Sequence, residues 1–371
     1  MTAQWRDRWI VWRNRWLASP RFQRWAAAFP MTRQIARQRT QDLFDLVAGF
    51  VYSQTLAACI RLGLLERLAA GPAVTRTLAE DTALSEASLE RLLAAGATLG
   101  LVSRAGPSRW ALGPQGATLL GNPGLVRMVE HHVHLYADLA DCVGLLRREA
   151  GGGELARYWP YATATLPADA DADRVRAYSE LMNASQPGVA ADVLDAYPVA
   201  RHRRLLDVGG GQGAFLTAAG ARAPDLELSL FDLPAVTRIA AEALKRAGLA
   251  DRASVFSGDF LADPLPRGAD LITLIRILHD HDDAGALRLL RAARAALPAD
   301  GALLVAEPMS AAPRPDRVAD VYFAFYLLAM GRGRARSPNE LFALLRSAGF
   351  RRTRLLRTRS PLLLRAILAT P

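Results

Sequence analysis

Residues 203–215 read Arg-Arg-Leu-Leu-Asp-Val-Gly-Gly-Gly-Gln-Gly-Ala-Phe. An apolar run meets a glycine turn, and a helical pattern follows. Gly209, Gly211 and Gly213 remove side chains where a backbone must turn tightly and let a ligand approach. The amides of the helix starting at Ala214 would point their partial positive charge back at that ligand. The next apolar run, Leu226–Phe231, ends at Asp232, nineteen residues after Gly213. An acid there suits a ribose diol. The pattern therefore predicts a nucleoside site at the edge of an α/β sheet.

Two cofactor classes compete for the loop. Gly209-Gly-Gly211-Gln-Gly-Ala214 fits the looser G-x-G-x-x-A form, which leaves a dinucleotide open. Asp207 argues the other way, because a carboxylate at the strand end repels a pyrophosphate and suits an amino-acid ammonium. The segment Asp207-x-Gly209-x-Gly211-x-Gly213 resembles the first motif of S-adenosylmethionine-dependent small-molecule O-methyltransferases. Ser257-Gly-Asp-Phe260 is similar to the family segment in which an acid takes the adenine amino group and an aromatic covers the ring. The resemblance would give those roles to Asp259 and Phe260. Strands recur at 270–278 and 302–306, with helical stretches at 234–248 and 284–297. This alternation predicts a mostly parallel sheet covered by helices, a Rossmann-like domain over 201–371.

Length and composition set limits. A chain of 371 residues that is 51% hydrophobic should hold two domains with ample core. Cys59 and Cys142 lie in apolar helical patterns and read as buried thiols, so neither a disulfide nor a metal site is expected. The longest apolar stretch is read as Val321–Met330, too short to span a bilayer. The N-terminus lacks the apolar segment of a secretory signal. A cytoplasmic protein follows. The net charge of +10 is uneven: residues 1–40 carry nine Arg against one Asp, and 330–371 carry ten Arg against one Glu. Lys245 is the single lysine beside 45 arginines, a bias that also fits a GC-rich coding sequence.

Five of the seven tryptophans lie in the first 25 residues. Trp5, Trp9, Trp12 and Trp16 make one helical stripe, with arginines mostly off it. Pro20 and Pro30 punctuate two helices in this arm, residues 1–40. Tryptophan and arginine on separate faces suit a bilayer surface carrying anionic lipid, which makes residues 1–30 a peripheral membrane contact. A dimer arm packing its tryptophans on a partner subunit fits the same pattern about equally well.

Residues 41–125 read as helices followed by a hairpin, Leu101–Arg104 and Arg109–Leu112, the order of a winged helix. Ser85 is the expected N-cap of its second helix. That helix carries Glu86 and Glu90 with one base, Arg91, too acidic and apolar for a DNA groove. Residues 41–125 are therefore expected to be a mainly helical dimerisation domain, and no nucleic-acid partner is expected. Residues 126–200 would be linking helices that line an acceptor site.

Ile272-Thr-Leu-Ile-Arg-Ile-Leu-His-Asp-His-Asp-Asp283 is a buried strand that empties into a polar cluster. It resembles the catalytic segment of the O-methyltransferase family, whose base would be His279. His281 is a second candidate. Asp280 would help fix the segment, and Asp282 or Asp283 would cap the next helix. Glu307, ending the strand Leu303–Glu307, matches the family carboxylate that orients the catalytic ring. The family's second Glu would fall at residue 335, where this chain has Ala335; Glu340 is read as structural. One carboxylate in place of two argues for a divergent acceptor.

The stretch Asp320–Met330 is apolar nearly all round, and the resemblance places it against the acceptor. Trp159, Met182, Phe323 and Tyr326 are the expected substrate contacts. Few hydrogen-bonding groups appear among them, which suits a long hydrocarbon with one hydroxyl. Four segments, Leu43–Gln54, Tyr158–Tyr161, Asp320–Tyr326 and Arg336–Glu340, resemble the demethylspheroidene (hydroxyneurosporene) O-methyltransferases of carotenoid synthesis. That likeness implies a homodimer acting on the tertiary hydroxyl of an acyclic carotenoid. A phenolic, polyketide or bacteriochlorophyll acceptor is the alternative, and a winged-helix DNA-binding regulator the weak one.

Overall fold

The computed structural model describes residues 3–148, 152–158, 186–310, 317–359 and 364–371. The chain divides into two compact units, 1–120 and 121–371.

In the first unit, helix α1 (Ala3–Leu17) is followed by α2 (Pro20–Ala28), which starts with proline at its first turn behind the N-cap Ser19. Helix α3 (Arg33–Arg61) then runs 29 residues without a break, so the arm passes into the next domain along one continuous rod. One window of α3 has mean hydropathy 1.5, long and apolar enough by composition to cross a membrane, yet only 22% of that window is buried. The sequence reading missed it because Asp45, Tyr52, Ser53 and Gln54 interrupt the apolar run. Those residues share the helix with Leu46, Val47 and Phe50, which are at least 70% exposed.

After α3, Gly63 in the left-handed region (φ 62°) turns the chain into α4 (Leu64–Ala69). Strand β1 (Ala73–Val74), helices α5 (Thr75–Thr82) and α6 (Glu86–Thr98), and the hairpin β2 (Val102–Gly106)–β3 (Arg109–Leu112) follow, then α7 (Pro114–Leu120). The strands pair in the order β1-β3-β2, the winged-helix arrangement. Ser85 caps α6 by accepting the Ser88 amide at 3.2 Å. Fully buried Trp110 donates to Thr75 Oγ1 at 3.1 Å, with the Arg104 guanidinium 4.3 Å above its ring. Glu90 on α6 is bonded to Arg104 at 2.8 Å and to Thr75 at 3.0 Å, so this helix spends its polar groups inside the domain.

The second unit opens with α8 (Pro123–Leu139), α9 (Cys142–Arg147), α10 (Glu154–Tyr158) and helical turns over 186–196, here α11. Buried Asp138 at the end of α8 accepts the first two amides of α10, Glu154 at 2.8 Å and Leu155 at 2.9 Å. These are orphan donors that a helix start must satisfy. Of the two cysteines, Cys59 is buried, and burial pushes its thiol up to about 11. Cys142 is only half-buried, because it sits at the first turn of α9 rather than in a core face.

Alternating strands and helices complete the unit: β4 (Arg204–Val208), α12 (Ala214–Arg222), β5 (Glu227–Asp232), α13 (Pro234–Arg246), β6 (Ala253–Ser257), β7 (Leu271–Ile275), α14 (Asp283–Ala296) and β8 (Ala302–Glu307). A turn of π-helix (Arg317–Phe323) leads into α15 (Ala324–Met330), then α16 (Pro338–Ser347), β9 (Arg352–Leu356) and β10 (Arg365–Thr370). The seven strands lie in the order β6-β5-β4-β7-β8-β10-β9; β4 to β8 are parallel, and β10 runs antiparallel to both of its neighbours, β8 and β9. Every residue of β7 and of β8 is buried, as a strand covered on both faces requires. Strand order reverses direction at β4, and the crevice beyond its carboxyl end is where open α/β sheets bind ligands.

Candidate active site

The glycine loop leaves β4 at that switch point. Gly209, Gly211 and Gly213 all have positive φ, 71°, 57° and 80°, which an L side chain rarely adopts. A β-carbon on Gly209 would run into Ile277 and lie 3.7 Å from the Phe260 ring. The loop thus approaches the β7 end and the β6 end so closely that only glycine fits. Asp232 closes the loop from β5: its carboxylate accepts the Gly211 amide at 2.8 Å and the Leu233 amide at 2.7 Å. Burial pushes its pKa up to about 6 despite those two bonds. Asp207 lies deeper and accepts the Thr273 hydroxyl at 2.6 Å; burial pushes it up to about 7.

Asp259 is exposed beyond the end of β6 and holds its own turn by accepting the Leu261 amide at 2.8 Å. Phe260 packs edge-on against the ring of His281, with centroids 5.4 Å apart. Acids from two neighbouring strand ends, a glycine loop and an aromatic ring therefore share one edge of the sheet. That is a cradle with the donor and acceptor set a ribose and adenine need.

The catalytic segment is a short 3-10 turn, Leu278–Asp280, between β7 and α14. Asp282 is the N-cap of α14, accepting the Gly285 amide at 2.7 Å, so His279 and His281 are free of capping duty. His279 is buried; burial first, then the nearby charges of Arg276, His281 and Arg336, hold its pKa down to about 3. The ring is neutral at physiological pH. Its Nε2 lies 3.2 Å from Asp280 Oδ1, while Nδ1 is buried without a hydrogen-bond partner. Burial pushes Asp280 up to about 7.

Glu307 meets this segment in a way the sequence did not reveal. Its Oε2 accepts the backbone amide of His279 at 3.1 Å, so it grips the chain behind the ring. Its Oε1, like His279 Nδ1, is buried without a partner, and burial pushes the carboxyl up to about 8. Glu340, read as structural, forms a capping box with Ser337 and an ion pair with Arg334 at 2.7 Å.

Phe323 lies 6.4 Å from the His279 ring, centroid to centroid. Tyr322 meets the Phe323 ring edge-on (5.2 Å) and stacks on Tyr326 (5.7 Å). Behind them stand residues that sequence reasoning missed. His132 Nε2 is 2.9 Å from the Tyr322 hydroxyl, and His131 Nε2 is 3.2 Å from the Tyr326 hydroxyl. Burial holds both imidazoles down to about 4, so they are neutral hydrogen-bonding groups. The run His131-His132-Val-His134 on an amphipathic helix was the available signal. Trp159 and Met182 lie outside the described residues.

The O-methyltransferase domain family matches residues 136–351, and the O-methyltransferase dimerisation domain family matches residues 44–122. The chain belongs to the S-adenosylmethionine-dependent O-methyltransferases. Among relatives of this O-methyltransferase, demethylspheroidene O-methyltransferase of Cereibacter sphaeroides is 47% identical over 332 residues, covering 90% of this chain and 87% of that protein. The protein of the same name from Rhodobacter capsulatus is 43% identical, covering 90% and 82%. Among solved structures, mitomycin 7-O-methyltransferase superposes with a TM-score of 0.75 at 26% identity, covering 91% of this chain and 100% of that one. Human N-acetylserotonin methyltransferase, solved in complex with S-adenosylmethionine, shares the fold at a TM-score of 0.73 and 24% identity, covering 90% and 97%. The cofactor of this O-methyltransferase is S-adenosylmethionine, and its dimerisation domain makes it a homodimer.

Proposed function

We propose that this O-methyltransferase transfers the methyl group to the tertiary hydroxyl of an acyclic hydroxycarotenoid. The observation that carries the acceptor is the identity of 47% and 43%, over nine-tenths of the chain, to two demethylspheroidene O-methyltransferases. The aromatic wall of Tyr322, Phe323 and Tyr326 beside His279 supports it, since an aromatic surface suits a polyene.

When bound, the cofactor supplies a methyl group on a positively charged sulfur. Asp232 would accept the ribose hydroxyls, Asp207 and the amides of the 209–213 loop would hold the amino-acid end, and Phe260 would cover the adenine near Asp259. His279 is the general base. An imidazole held down to about 3 cannot ionise a tertiary alcohol beforehand. The hydroxyl proton would therefore move to the His279 ring as the new O–C bond forms and the methyl–sulfur bond breaks, its electron pair staying on sulfur as a neutral thioether, and orientation supplies much of the rate. Glu307 keeps the backbone of His279 in place while this happens.

His279→Ala tests the base. Transfer of labelled methyl to a hydroxylated acyclic carotenoid should fall at least ~100-fold, with cofactor binding retained. Full turnover would show that His279 is not the base.

The arm is a peripheral membrane contact in this reading. Trp9, Trp12, Trp16, Phe22, Trp25 and Phe29 form an unbroken ladder of ring contacts from 5.0 to 5.9 Å, and its tryptophans are more than half exposed. The ladder lies outside the matched dimerisation domain, and its arginines suit anionic headgroups. Flotation with anionic vesicles should lose the protein when residues 1–30 are removed. Equal flotation of the shortened chain beginning at Met31 would remove the arm from the account.

A further inference from the structure

The carbonyls of the catalytic segment are held as firmly as its amides, and by a residue with no assigned role. Arg336 is 0% exposed. Its Nη1 donates to the Leu278 carbonyl and its Nη2 to the His281 carbonyl, both at 2.7 Å. Its Nε donates to Asp283 Oδ1 at 2.8 Å, at the first turn of α14. The Arg334 amide donates to the His279 carbonyl at 2.9 Å. Gly333 (φ 77°) lies against the same carbonyl, where any β-carbon would collide with it. Residues 333–336 are thus pressed along the back of 278–283.

From the front, Glu307 takes the His279 amide at 3.1 Å. One buried acid holds the donors of the turn and one buried guanidinium holds its acceptors. A guanidinium can do this because its donors form a rigid planar fork; an ammonium has the charge without the fork. No acid from residue 335 reaches the ring, since Ala335 packs beside the apolar cluster of Leu135, Tyr326 and Met330.

We propose that Arg336 is a positioning residue for methyl transfer. By fixing the carbonyls on either side of His279 and Asp280, it holds the backbone from which the His279 ring and its partner, the Asp280 carboxylate at 3.2 Å, are set in direction. The proposal rests on His279 being the base. Misplacing a reacting group by about 1 Å can cost on the order of 10²-fold in rate.

The test is a double-mutant cycle on the full-length homodimer with Arg336→Lys and His279→Ala. It uses methyl transfer to a hydroxylated acyclic carotenoid, with cofactor binding by calorimetry and unfolding by circular dichroism. Arg336→Lys should lower kcat on the order of 10²-fold, with KM for acceptor and Kd for cofactor within about threefold, per folded molecule. The double variant should be no slower than His279→Ala, because Arg336 acts only through that ring.

Arg336→Lys with wild-type kcat, while His279→Ala is slow, overturns the proposal and leaves the base assignment standing. So does a multiplicative loss in the double variant. A drop explained by the unfolded fraction alone also overturns it, as a merely structural role predicts that result. Full turnover in His279→Ala overturns the base assignment and the proposal together. Asp283→Asn guards against a lysine variant that fails to fold: it keeps an acceptor for Nε and should lose less than Arg336→Lys in kcat, with KM unchanged.

Discussion

Lowering the pH from 7 to 5 should strip this O-methyltransferase of its cofactor without unfolding it. In the proposed binding mode Asp232 must be ionised to accept two ribose hydroxyls, and burial pushes its pKa up to about 6. The sign follows directly. A ligand that needs the carboxylate binds fully above pH 6 and progressively less below it. With a pKa of about 6, Kd scales as 1 + 10^(6−pH), so Asp232 alone makes Kd about tenfold larger at pH 5 than at pH 7. Asp207 is pushed up to about 7, partly by the charge on Asp232. If the cofactor cation also ionises Asp207, the same relation adds about fiftyfold over this interval. The window stays below the range in which an α-amino group titrates, about 7.7–8.0, so the ligand's own ammonium contributes little.

Isothermal calorimetry at pH 7, 6 and 5, in two buffers of different ionisation enthalpy, gives Kd and the protons released on binding. Asp232→Asn should bind weakly at every pH and lose its share of the slope; Asp207→Asn should keep the Asp232 share. A Kd that does not rise as the pH falls across the window would refute the reasoning, since a carboxylate pushed up by burial that must ionise on binding loses affinity there. Retention of the full slope by Asp232→Asn would place the titrating group elsewhere.

Gly333→Ala should abolish most turnover, because the new β-carbon meets the His279 carbonyl and the backbone there has φ 77°. Calorimetry should find cofactor affinity nearly unchanged, and equal loss of binding would count against a local effect. Asp138→Ala should act on stability, since it strands the Glu154 and Leu155 amides at the start of α10. Two unsatisfied amides cost about 1–3 kcal/mol each, and a thermal midpoint about 5–15 °C lower is expected for a unit of this size. An unchanged melt would mean that water replaces the carboxylate.

The cofactor half of the site was legible because its signal is local. Three glycines, an acid before them and an acid at the next strand end lie within thirty residues, and the glycines are demanded by positive φ that other residue types rarely meet. The order of strands and helices was readable for the same reason. The acceptor half was legible only in part. His279 and Glu307 stand at the ends of neighbouring strands β7 and β8, so their proximity could be inferred. That Glu307 would bond the His279 amide could not, because it depends on how the 3-10 turn folds back. Arg336 looked like one of ten arginines in a basic tail, and only the packing of 333–336 against 278–283 shows its burial. His131 and His132 find Tyr326 and Tyr322 across about 190 positions of sequence, which periodicity alone cannot pair.

The unbroken helix Arg33–Arg61 changes what kind of attachment the arm can be. A glycine-rich linker would make a leash, letting the enzyme tumble at any angle beneath its anchor. A helix of 29 residues is a strut of about 44 Å, and α2 folds back on it rather than dangling from it. If the tryptophan ladder seats on a bilayer, the strut transmits that tilt to the dimerisation domain. Docking then sets the heading of the dimerisation domain as well as its location. A flexible insert at Arg39–Thr40 would separate the two: it would leave the protein on the vesicle and let it swing.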